Sequence, residues 1–409
     1  MLRFLTAGES HGQGLVVILE GLPSGLAIDF DAMNHDLRQR QAGYGRGRRM
    51  AIESDRAEVL SGVRRGRTTG APVALLIRNR DWVNWQATMH VETEMPEGAP
   101  GAKRARVVRP RPGHADFAGV LKYDHEDIRD VLERASARET AARVAAGAIA
   151  RQLLRAVGVE IASHVISIAG AGLPPGTPVP FEKVQAIPAE SQLRCVDPTA
   201  EGAMIQAIDA AREAGDTVGG AFEVVARGVP VGLGSYVQWD RKLDGRLAQA
   251  MMSIHAIKAV AIGDGVEGAR RPGSQVHDEI VIEETADGGR HIARPTNRAG
   301  GLEGGVTNGE DLRVTGYMKP ISTLMKPLRS VDLTSLEEAP AAIERSDVCA
   351  VPAAAVVGEA MVALVLAEAL TERFGGDSMR QLKAQVAAVA AHIEGRVRRQ
   401  TTGVGQSPA

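Results

Sequence analysis

The stretch GLVVILEGLPSGL, residues 14–26, decides how the first part of the chain folds. Its five consecutive apolar residues, 15–19, indicate a strand that is buried on both faces, and the glycines and proline after them indicate a tight turn. Asp29 is a helix-capping residue, and the sequence behind it predicts a helix that runs to about Gln41, with Gly43 after it. The stretch therefore predicts the order strand, turn, helix.

The same layout returns in the second half of the chain as AFEVVARGVPVGL, residues 221–233. The two stretches share five residues, at Val17/Val224, Gly21/Gly228, Pro23/Pro230, Gly25/Gly232 and Leu26/Leu233. A helix follows again, predicted at about residues 241–253. The shared turn chemistry predicts two related halves packed into one body, and chance similarity is the alternative.

The remaining elements come in irregular order. The patterns predict strands at 71–77, 159–168 and 276–282, one long helix at 126–157, a helix from Asp197-Pro198 to Gly215, and helices at 352–374 and 378–399. Strands and helices do not alternate as in βαβ units, so a parallel Rossmann sheet is disfavoured. The sequence predicts an α+β fold in the form of a layered sandwich.

Composition limits the class of protein. The chain has 409 residues, of which 44% are hydrophobic, and no linker divides it, so we predict a single domain over residues 1–400 and a disordered tail at 401–409. The formal net charge is −2 and aromatic residues make up only 3%. Both values argue against a nucleic-acid partner, because affinity for a phosphate backbone requires an excess of Lys and Arg.

Three further features concern location and metals. Cys195 and Cys349 lie far apart in sequence, which predicts two free thiols in a reducing compartment. The N-terminus lacks the pattern of a signal peptide, and the apolar stretch 352–370 contains two glutamates and many alanines, which indicates a buried amphipathic helix and not a membrane span. No histidine pair has metal-ligand spacing. We expect a cytoplasmic protein without a membrane partner or a metal.

The motif GESHG, residues 8–12, matches the G-x-S-x-G pattern of a serine hydrolase. In such an enzyme the serine stands on a turn from a strand into a helix, whereas here a predicted strand follows. A glycine-rich turn that presents Ser10 and His11 to a ligand fits better. A hairpin whose Ser and His are merely solvated, and a serine esterase that uses Ser10, are the alternatives.

Arginine is concentrated in one segment. Between Arg38 and Arg67 nine arginines stand against three acidic residues, and glycines separate several of them. Guanidinium groups bind phosphate and carboxylate bidentately, so the segment predicts a small, highly charged ligand; a basic loop that contacts nucleic acid is the alternative. A second basic run ends in RPGHAD, residues 111–116, where prolines and Gly113 indicate rigid presentation of Arg111 and His114.

Three later segments are candidates for ligand contact. Residues 134–140 place small side chains between two arginines, which suits either close helix packing or a flat floor for a planar ligand. A glycine-rich loop, 297–305, precedes the segment Lys319–Thr323. In RSD, residues 345–347, a carboxylate beside an arginine is either an exposed salt bridge or a base in a cleft.

Taken together, six motifs resemble the chorismate synthase family, in the right order and from Met1 to about Phe374. They are GESHG (8–12), RPGHAD (111–116), ERASARETAARVA (133–145), NRAGGLEGGVTNG (297–309), KPISTL (319–324) and RSD (345–347). The resemblance implies an enzyme that converts 5-enolpyruvylshikimate 3-phosphate to chorismate and phosphate by an anti-1,4-elimination. It also implies a requirement for reduced FMN without net redox change.

The resemblance further implies roles for individual residues. His11 would donate a proton near the leaving phosphate, His114 would protonate or orient the reduced flavin, and Asp347 would be the base close to flavin N5. The implied substrate contacts are Ser10, Arg40, Arg46, Arg49, Arg111, Arg138 and Arg345. The implied FMN contacts are Arg134, Ala135, Ser136, His255, Ala256, Gly304, Lys319, Pro320, Ile321, Ser322, Thr323 and Arg345. His255 stands where the family often has Asn or Gln.

The resemblance also implies partners and an assembly. Arg40 and Arg46 match the positions that bind NADPH in members that reduce their own flavin; otherwise an external flavin reductase is the expected partner. The implied fold is a β-α-β sandwich with an internal pseudo-twofold repeat, assembled as a homotetramer.

Overall fold

The structure is a computed structural model that describes residues 2–46, 55–94, 100–101, 103–188, 190–284, 289–343 and 347–399. Arg49, Arg345 and the predicted tail at 401–409 lie outside the described residues.

The strands are β1 (Arg3–Gly8), β2 (Gly14–Glu20), β3 (Ala57–Val59), β4 (Val63–Arg64), β5 (Arg67–Thr68), β6 (Val73–Arg78), β7 (Glu160–Ile168), β8 (Ala171–Gly172), β9 (Gly220–Arg227), β10 (Ile257–Ile262), β11 (Val281–Glu284), β12 (Arg290–Ala293), β13 (Leu302–Glu303), β14 (Val306–Thr307), β15 (Leu312–Met318), β16 (Arg329–Asp332), β17 (Glu337–Pro340) and β18 (Arg398–Arg399). The helices are α1 (Phe30–Gln41), α2 (Gln86–Met89), α3 (Asp116–Tyr123), α4 (Arg129–Leu132), α5 (Thr140–Arg155), α6 (Phe181–Gln185), α7 (Pro198–Glu213), α8 (Leu243–Met252), α9 (Gly265–Gly268), α10 (Val351–Phe374) and α11 (Met379–Val397).

The two main sheets have the same topology. The first has the spatial order β1-β2-β6-β3, and the second has the order β7-β9-β15-β10 with β8 added beside β7. Every neighbouring pair in both sheets is antiparallel. Along the chain, β1, β2, α1, β3, β6 and α5 match β7, β9, α8, β10, β15 and α10. This match confirms the internal repeat.

The helices α5 and α10 form the middle of the molecule. They pack against each other, α5 against the first sheet and α10 against the second, which confirms the β-α-β sandwich. The two helices approach closely because Gly147 faces Ala360, where an added Cβ would lie only 2.3 Å from the alanine Cβ. A side chain at position 147 would therefore force the two layers apart.

A buried threonine fixes the turn of the first half. The Thr68 hydroxyl donates to the carbonyl of Pro23 (2.7 Å) and accepts from the backbone N–H of Leu26 (2.9 Å). The backbone of Thr68 also exchanges two hydrogen bonds with Gly25 and Leu26. We call this four-bond arrangement the threonine clasp.

The second half contains an equivalent clasp. The Thr307 hydroxyl donates to Pro230 (2.6 Å) and accepts from the N–H of Leu233 (2.8 Å), and its backbone bonds to Gly232 and Leu233. The turn glycines also match in conformation, since φ is +87° at Gly21 and +74° at Gly228. Both turns therefore need glycine for the same reason.

Helix α10 is buried on nearly all sides. The prediction that this stretch is buried in the protein is confirmed, although it is long and apolar enough to span a membrane. The prediction that it is amphipathic is wrong, because α5, α8 and the second sheet surround it and leave no polar face.

Two other predictions need correction. The single helix predicted over 126–157 is interrupted, because Ser136 has an extended backbone and its side chain accepts the N–H of Arg138. Helix α4 ends before this break, and a short 3-10 helix, Ala137–Glu139, leads into α5. The strand predicted over 276–282 begins only at Val281, because the Asp278 carboxylate binds the loop at 296–299 instead.

The cap predictions are confirmed. Asp29 accepts the N–H of Ala32 at the start of α1, and Asp197 accepts two N–H groups at the start of α7. Gly215 follows α7 with φ +70°. Cys195 and Cys349 are both free and buried.

Candidate active site

A cleft of about 920 Å³ opens where the matching ends of the two sheets meet. The first half contributes the loop before β2 and the end of α1, and the second half contributes the end of α8 and the loop after β15. The starts of α5 and α10 form the wall between them. The cleft therefore lies on the boundary of the internal repeat.

Most of the predicted site residues line this cleft. They are Ser10, His11, Arg40, Arg46, Arg111, His114, Ala135, Ser136, Arg138, His255, Ala256, Lys319, Ile321, Ser322, Thr323 and Asp347. Five of the six sequence motifs, which are far apart in the chain, thus contribute to a single cavity, and the glycine-rich loop at 297–309 does not.

Three predicted flavin contacts do not line the cleft. Arg134 donates to the carbonyls of Thr6 and Gly8, which ties its guanidinium group to β1. Gly304 lies in the β13–β14 turn, where an added Cβ would face Tyr236. Pro320 belongs to the cleft loop, but its neighbours supply the wall.

The GESHG loop is fixed by a distant carboxylate. His11 Nδ1 lies 2.9 Å from both carboxylate oxygens of Glu133, and the His11 ring stacks on Trp85 with 3.8 Å between the ring centroids. The Ser10 hydroxyl accepts a hydrogen bond from the Ser136 hydroxyl. Since Nδ1 of His11 binds Glu133 and the strand β2 follows the motif, the loop is not a nucleophile elbow.

The RPGHAD segment forms a second rigid group. His114 Nδ1 lies 2.5 Å from Asp116 Oδ1, and the Arg111 guanidinium binds both oxygens of the same carboxylate. Burial acts to raise the pKa of Asp116, but the hydrogen bonds from His114 and Arg111 outweigh it and hold this pKa below its ordinary value. Arg111 also donates to Thr323, so the segment is attached to the loop after β15.

Two of the predicted anion-binding arginines share one buried acid. Asp55 Oδ2 lies 2.9 Å from Arg40 and 2.6 Å from Arg138. Burial acts to raise the pKa of Asp55, and the two guanidinium groups lower it below its ordinary value. Arg40 keeps a buried Nε–H without a partner among the described residues, which leaves a donor for an anionic ligand.

The proposed base is paired across the cleft. Asp347, just before α10, lies 2.7 Å from Arg46, just after α1. The prediction left open whether Asp347 forms an exposed salt bridge or lies in a cleft. It lines the cleft and its side chain is only 21% exposed.

His255 is held neutral. Burial lowers its pKa to about 4, against an opposing effect from Glu139. Its Nδ1 is buried without a hydrogen-bond partner among the residues that the structure describes. The imidazole is therefore available as a hydrogen-bonding group at ordinary pH, and not as a cation.

Sequence reasoning missed four residues that shape the site. Glu133 and Asp116 stand inside quoted motifs, so their position in those motifs was an available signal. In the sequence, Asp55 is only one of the three acidic residues among the arginines between Arg38 and Arg67. Trp85 had no sequence signal, since its contact with His11 depends on the fold.

Comparisons with known proteins identify the family of the chain. A sequence model of the chorismate synthase family matches residues 2–371. The chain is 58% identical to a chorismate synthase of Desulforudis audaxviator, over 93% of this chain and 95% of the relative. It is 55% identical to one of Geobacter sulfurreducens, over 94% and 97%. A crystal structure of chorismate synthase superposes with a TM-score of 0.76 at 43% identity, covering 96% of this chain and 98% of the other.

Proposed function

The chain belongs to the chorismate synthase family, and from this we propose that its cleft performs the family reaction with His11, His114 and Asp347 as the reacting groups. The enzymes of this family are lyases that convert 5-enolpyruvylshikimate 3-phosphate to chorismate and phosphate. The observation that carries the proposal is the meeting of these three residues and four arginines in one cavity.

The arginines suit the substrate. It carries a phosphate and two carboxylates, and Arg40, Arg46, Arg111 and Arg138 all line the cleft. Each of the four is already oriented by a carboxylate, which is Asp55, Asp347 or Asp116. Orientation before binding reduces the entropy lost when the ligand is fixed. We assign substrate contacts to these arginines and to Ser10, and the assignments of Arg49 and Arg345 stay predictions.

The protein residues would handle two protons. His11 donates a proton to the departing phosphate oxygen as the C–O bond breaks, which contributes about 10²–10⁴-fold in such reactions. Asp347 acts as the base that takes up the proton lost from the substrate, and Arg46 holds its carboxylate in place. His114 protonates or orients the flavin.

The cleft also fits a flavin. Small side chains, including Ala135, Ala353 and Ala354, leave room for a planar ring, and the unpartnered Nδ1 of His255 can bond to a ring heteroatom. Burial and the neighbouring Lys258 lower the pKa of Lys319, so an FMN phosphate beside Lys319 would offset an existing repulsion. Reduced FMN, when bound, supplies the electron density that assists C–O cleavage.

We further propose FMN contacts at Ser136, Ala256 and residues 321–323. Arg134, Gly304 and Pro320 do not line the cleft, and their flavin contacts stay predictions. The proposal also includes NADPH binding at Arg40 and Arg46, an external flavin reductase, a homotetramer and a cytoplasmic location.

The test is phosphate release from 5-enolpyruvylshikimate 3-phosphate under anaerobic conditions with dithionite-reduced FMN. We expect turnover with reduced FMN and none with oxidised FMN. Absence of turnover in both would reject the proposal. Repeating the assay with oxidised FMN and NADPH separates a chain that reduces its own flavin from one that needs a reductase.

A further inference from the structure

The proposed mechanism uses His11 but leaves unexplained the acid that binds it. Glu133 is only 2% exposed, and both of its carboxylate oxygens lie 2.9 Å from His11 Nδ1. One of them also accepts the backbone N–H of His11, and the Glu133 carbonyl accepts the N–H of Ser10. A single residue thus holds both the backbone and the ring of the GESHG loop.

This contact determines which nitrogen of His11 carries a proton. An ionised carboxylate can only accept hydrogen bonds, so the ring nitrogen between its oxygens must be Nδ1–H. The other nitrogen, Nε2, is then the one that exchanges its proton: the doubly protonated ring donates from Nε2 and is left as the neutral Nδ1–H tautomer. In the opposite neutral tautomer the lone pair of Nδ1 would face two carboxylate oxygens at 2.9 Å, which is repulsive.

Two neighbours support the geometry. Trp85 stacks on the His11 ring and restricts rotation about the side chain. Arg129 lies 3.6 Å from Glu133 Oε1 and is itself buried, so its charge also compensates that of the carboxylate. The same arrangement occurs independently at His114, whose Nδ1 is bound by Asp116.

We propose that Glu133 is the positioning residue of His11: it fixes the Nδ1–H tautomer and directs Nε2 at the leaving phosphate. The inference rests on the role proposed above for His11. Glu133 itself touches neither substrate nor flavin in this scheme, and it acts only through the imidazole.

The first test is spectroscopic and is made on the wild-type protein, with one variant used only for assignment. Long-range ¹H–¹⁵N correlation spectra of histidine-labelled protein, assigned with His11→Ala, report which ring nitrogen is protonated when the ring is neutral. We expect Nδ1–H for His11. A spectrum of the Nε2–H tautomer in the wild-type protein would overturn the proposal.

The second test is kinetic. Glu133→Gln keeps the size of the side chain, but an amide can donate or accept and so no longer imposes one tautomer. We expect kcat to fall at least tenfold while KM for the substrate stays within about threefold, because the arginines are untouched. Glu133→Asp keeps the charge and should give a kcat between those of wild type and Glu133→Gln; a kcat below that of the amide variant would count against the proposal.

The control is the same substitution at a matched acid. Glu359 is equally buried and paired with Arg151 and Arg194, but it does not line the cleft. Glu359→Gln should cost stability as Glu133→Gln does, with kcat per folded enzyme unchanged. A loss of kcat in both would indicate a general structural effect and overturn the positioning role.

A double variant separates this inference from the proposed function. If Glu133 acts through His11, Glu133→Gln should have no further effect on kcat in a His11→Ala background. An equal fold-loss in both backgrounds would overturn the inference. If His11→Ala itself retains full activity, the proposed role of His11 fails. If His11→Ala lowers kcat but Glu133→Gln does not, only the proposed role of Glu133 fails.

Discussion

Extending the alignment of residues 14–26 with 221–233 back by four residues places Ser10 opposite Thr217 and His11 opposite Val218. In the first half these positions face the cleft. In the second half the Thr217 hydroxyl donates to the carbonyl of Ile321, and Val218 packs against the core. Aligned positions therefore carry side chains that face the cleft in one half and structural side chains in the other.

The helix ends differ in charge as well. Arg40 and Arg46 stand at and just behind the end of α1, whereas the neutral His255 stands behind the end of α8. A repeat that keeps its turns and its clasp can change the loops at the sheet ends without losing stability, since those loops carry few core residues. With the roles proposed above, the first half supplies the four cleft arginines and both histidines, His11 and His114, whereas the second half supplies Asp347 and most of the flavin contacts.

The largest expected effect comes from exchanging a reactive side chain for a passive one. His11→Ala should lower kcat by about 10²–10⁴-fold, because it removes the proton donor to the phosphate. Val218→Ala, at the equivalent position of the second half, should lower kcat by less than about twofold and cost only about 1 kcal/mol of stability. Steady-state phosphate release and urea unfolding measure the two quantities.

The same assay extends to the other reacting groups. His114→Ala and Asp347→Ala should each slow turnover more than tenfold with the fold intact. If all three alanine variants remained near wild type, the assignment of roles would be wrong. If Val218→Ala were as slow as His11→Ala, the difference between the halves would not hold.

The next effect concerns binding. Arg40→Gln should weaken substrate binding by about 10- to 100-fold, since a hydrogen bond to a charged group contributes about 1.5–3 kcal/mol. Lys319→Gln should weaken FMN binding by a similar factor and leave the substrate within about threefold. Anaerobic titrations with FMN and with substrate measure the two dissociation constants. If each variant lost affinity for both ligands equally, the division between the halves would be contradicted.

Local signals explain what the sequence predicts well. The strand, turn and helix of residues 14–41 are specified by an apolar run, turn residues and the Asp29 cap, all within one segment. The break at Ser136 is different, because the apolar spacing continues through it. There a local side-chain hydrogen bond and the distant contacts of Arg134 override the helical pattern.

The candidate active site shows the same difference between local and long-range signals. His114 and Asp116 are two residues apart, so a motif contains both partners. His11 and Glu133 are separated by 122 residues, and no spacing rule connects them before the chain folds. Motif resemblance located the histidines, whereas the acids that orient them follow from the three-dimensional structure.

A smaller effect tests the common part of the two halves. Thr68→Val and Thr307→Val keep the side-chain shape but leave a buried carbonyl and a buried N–H without their hydroxyl partner, which costs about 1–3 kcal/mol. We expect similar losses in urea unfolding for the two variants. Thr334→Val, on an exposed turn, is the control and should cost less than about 0.5 kcal/mol. A loss of stability in only one of the two threonine variants would show that the two halves do not depend equally on their clasps.

The smallest expected effect is a pH dependence specific to the second half. The pKa of His255 is about 4 in the folded protein, below its ordinary value, because of burial. Between about pH 6.5 and 4 the unfolded state therefore binds one proton that the folded state does not. The free energy of unfolding should therefore fall as pH falls through this window. The lowering of the His255 pKa corresponds to about 3 kcal/mol, and partial exposure of the ring reduces this contribution to about 1 kcal/mol.

His255→Asn should remove this contribution, because an amide does not titrate, while it keeps a hydrogen-bonding group at the flavin site. The measurement is the free energy of unfolding of the flavin-free protein at pH 7 and pH 4.5, and the variant should lose less stability between them than wild type. His392→Asn, at an exposed position on α11, should not differ from wild type in this respect. Equal acid sensitivity of wild type and His255→Asn would mean that the imidazole is not kept neutral by the fold, and the contrast between the arginines behind α1 and a neutral imidazole behind α8 would not hold.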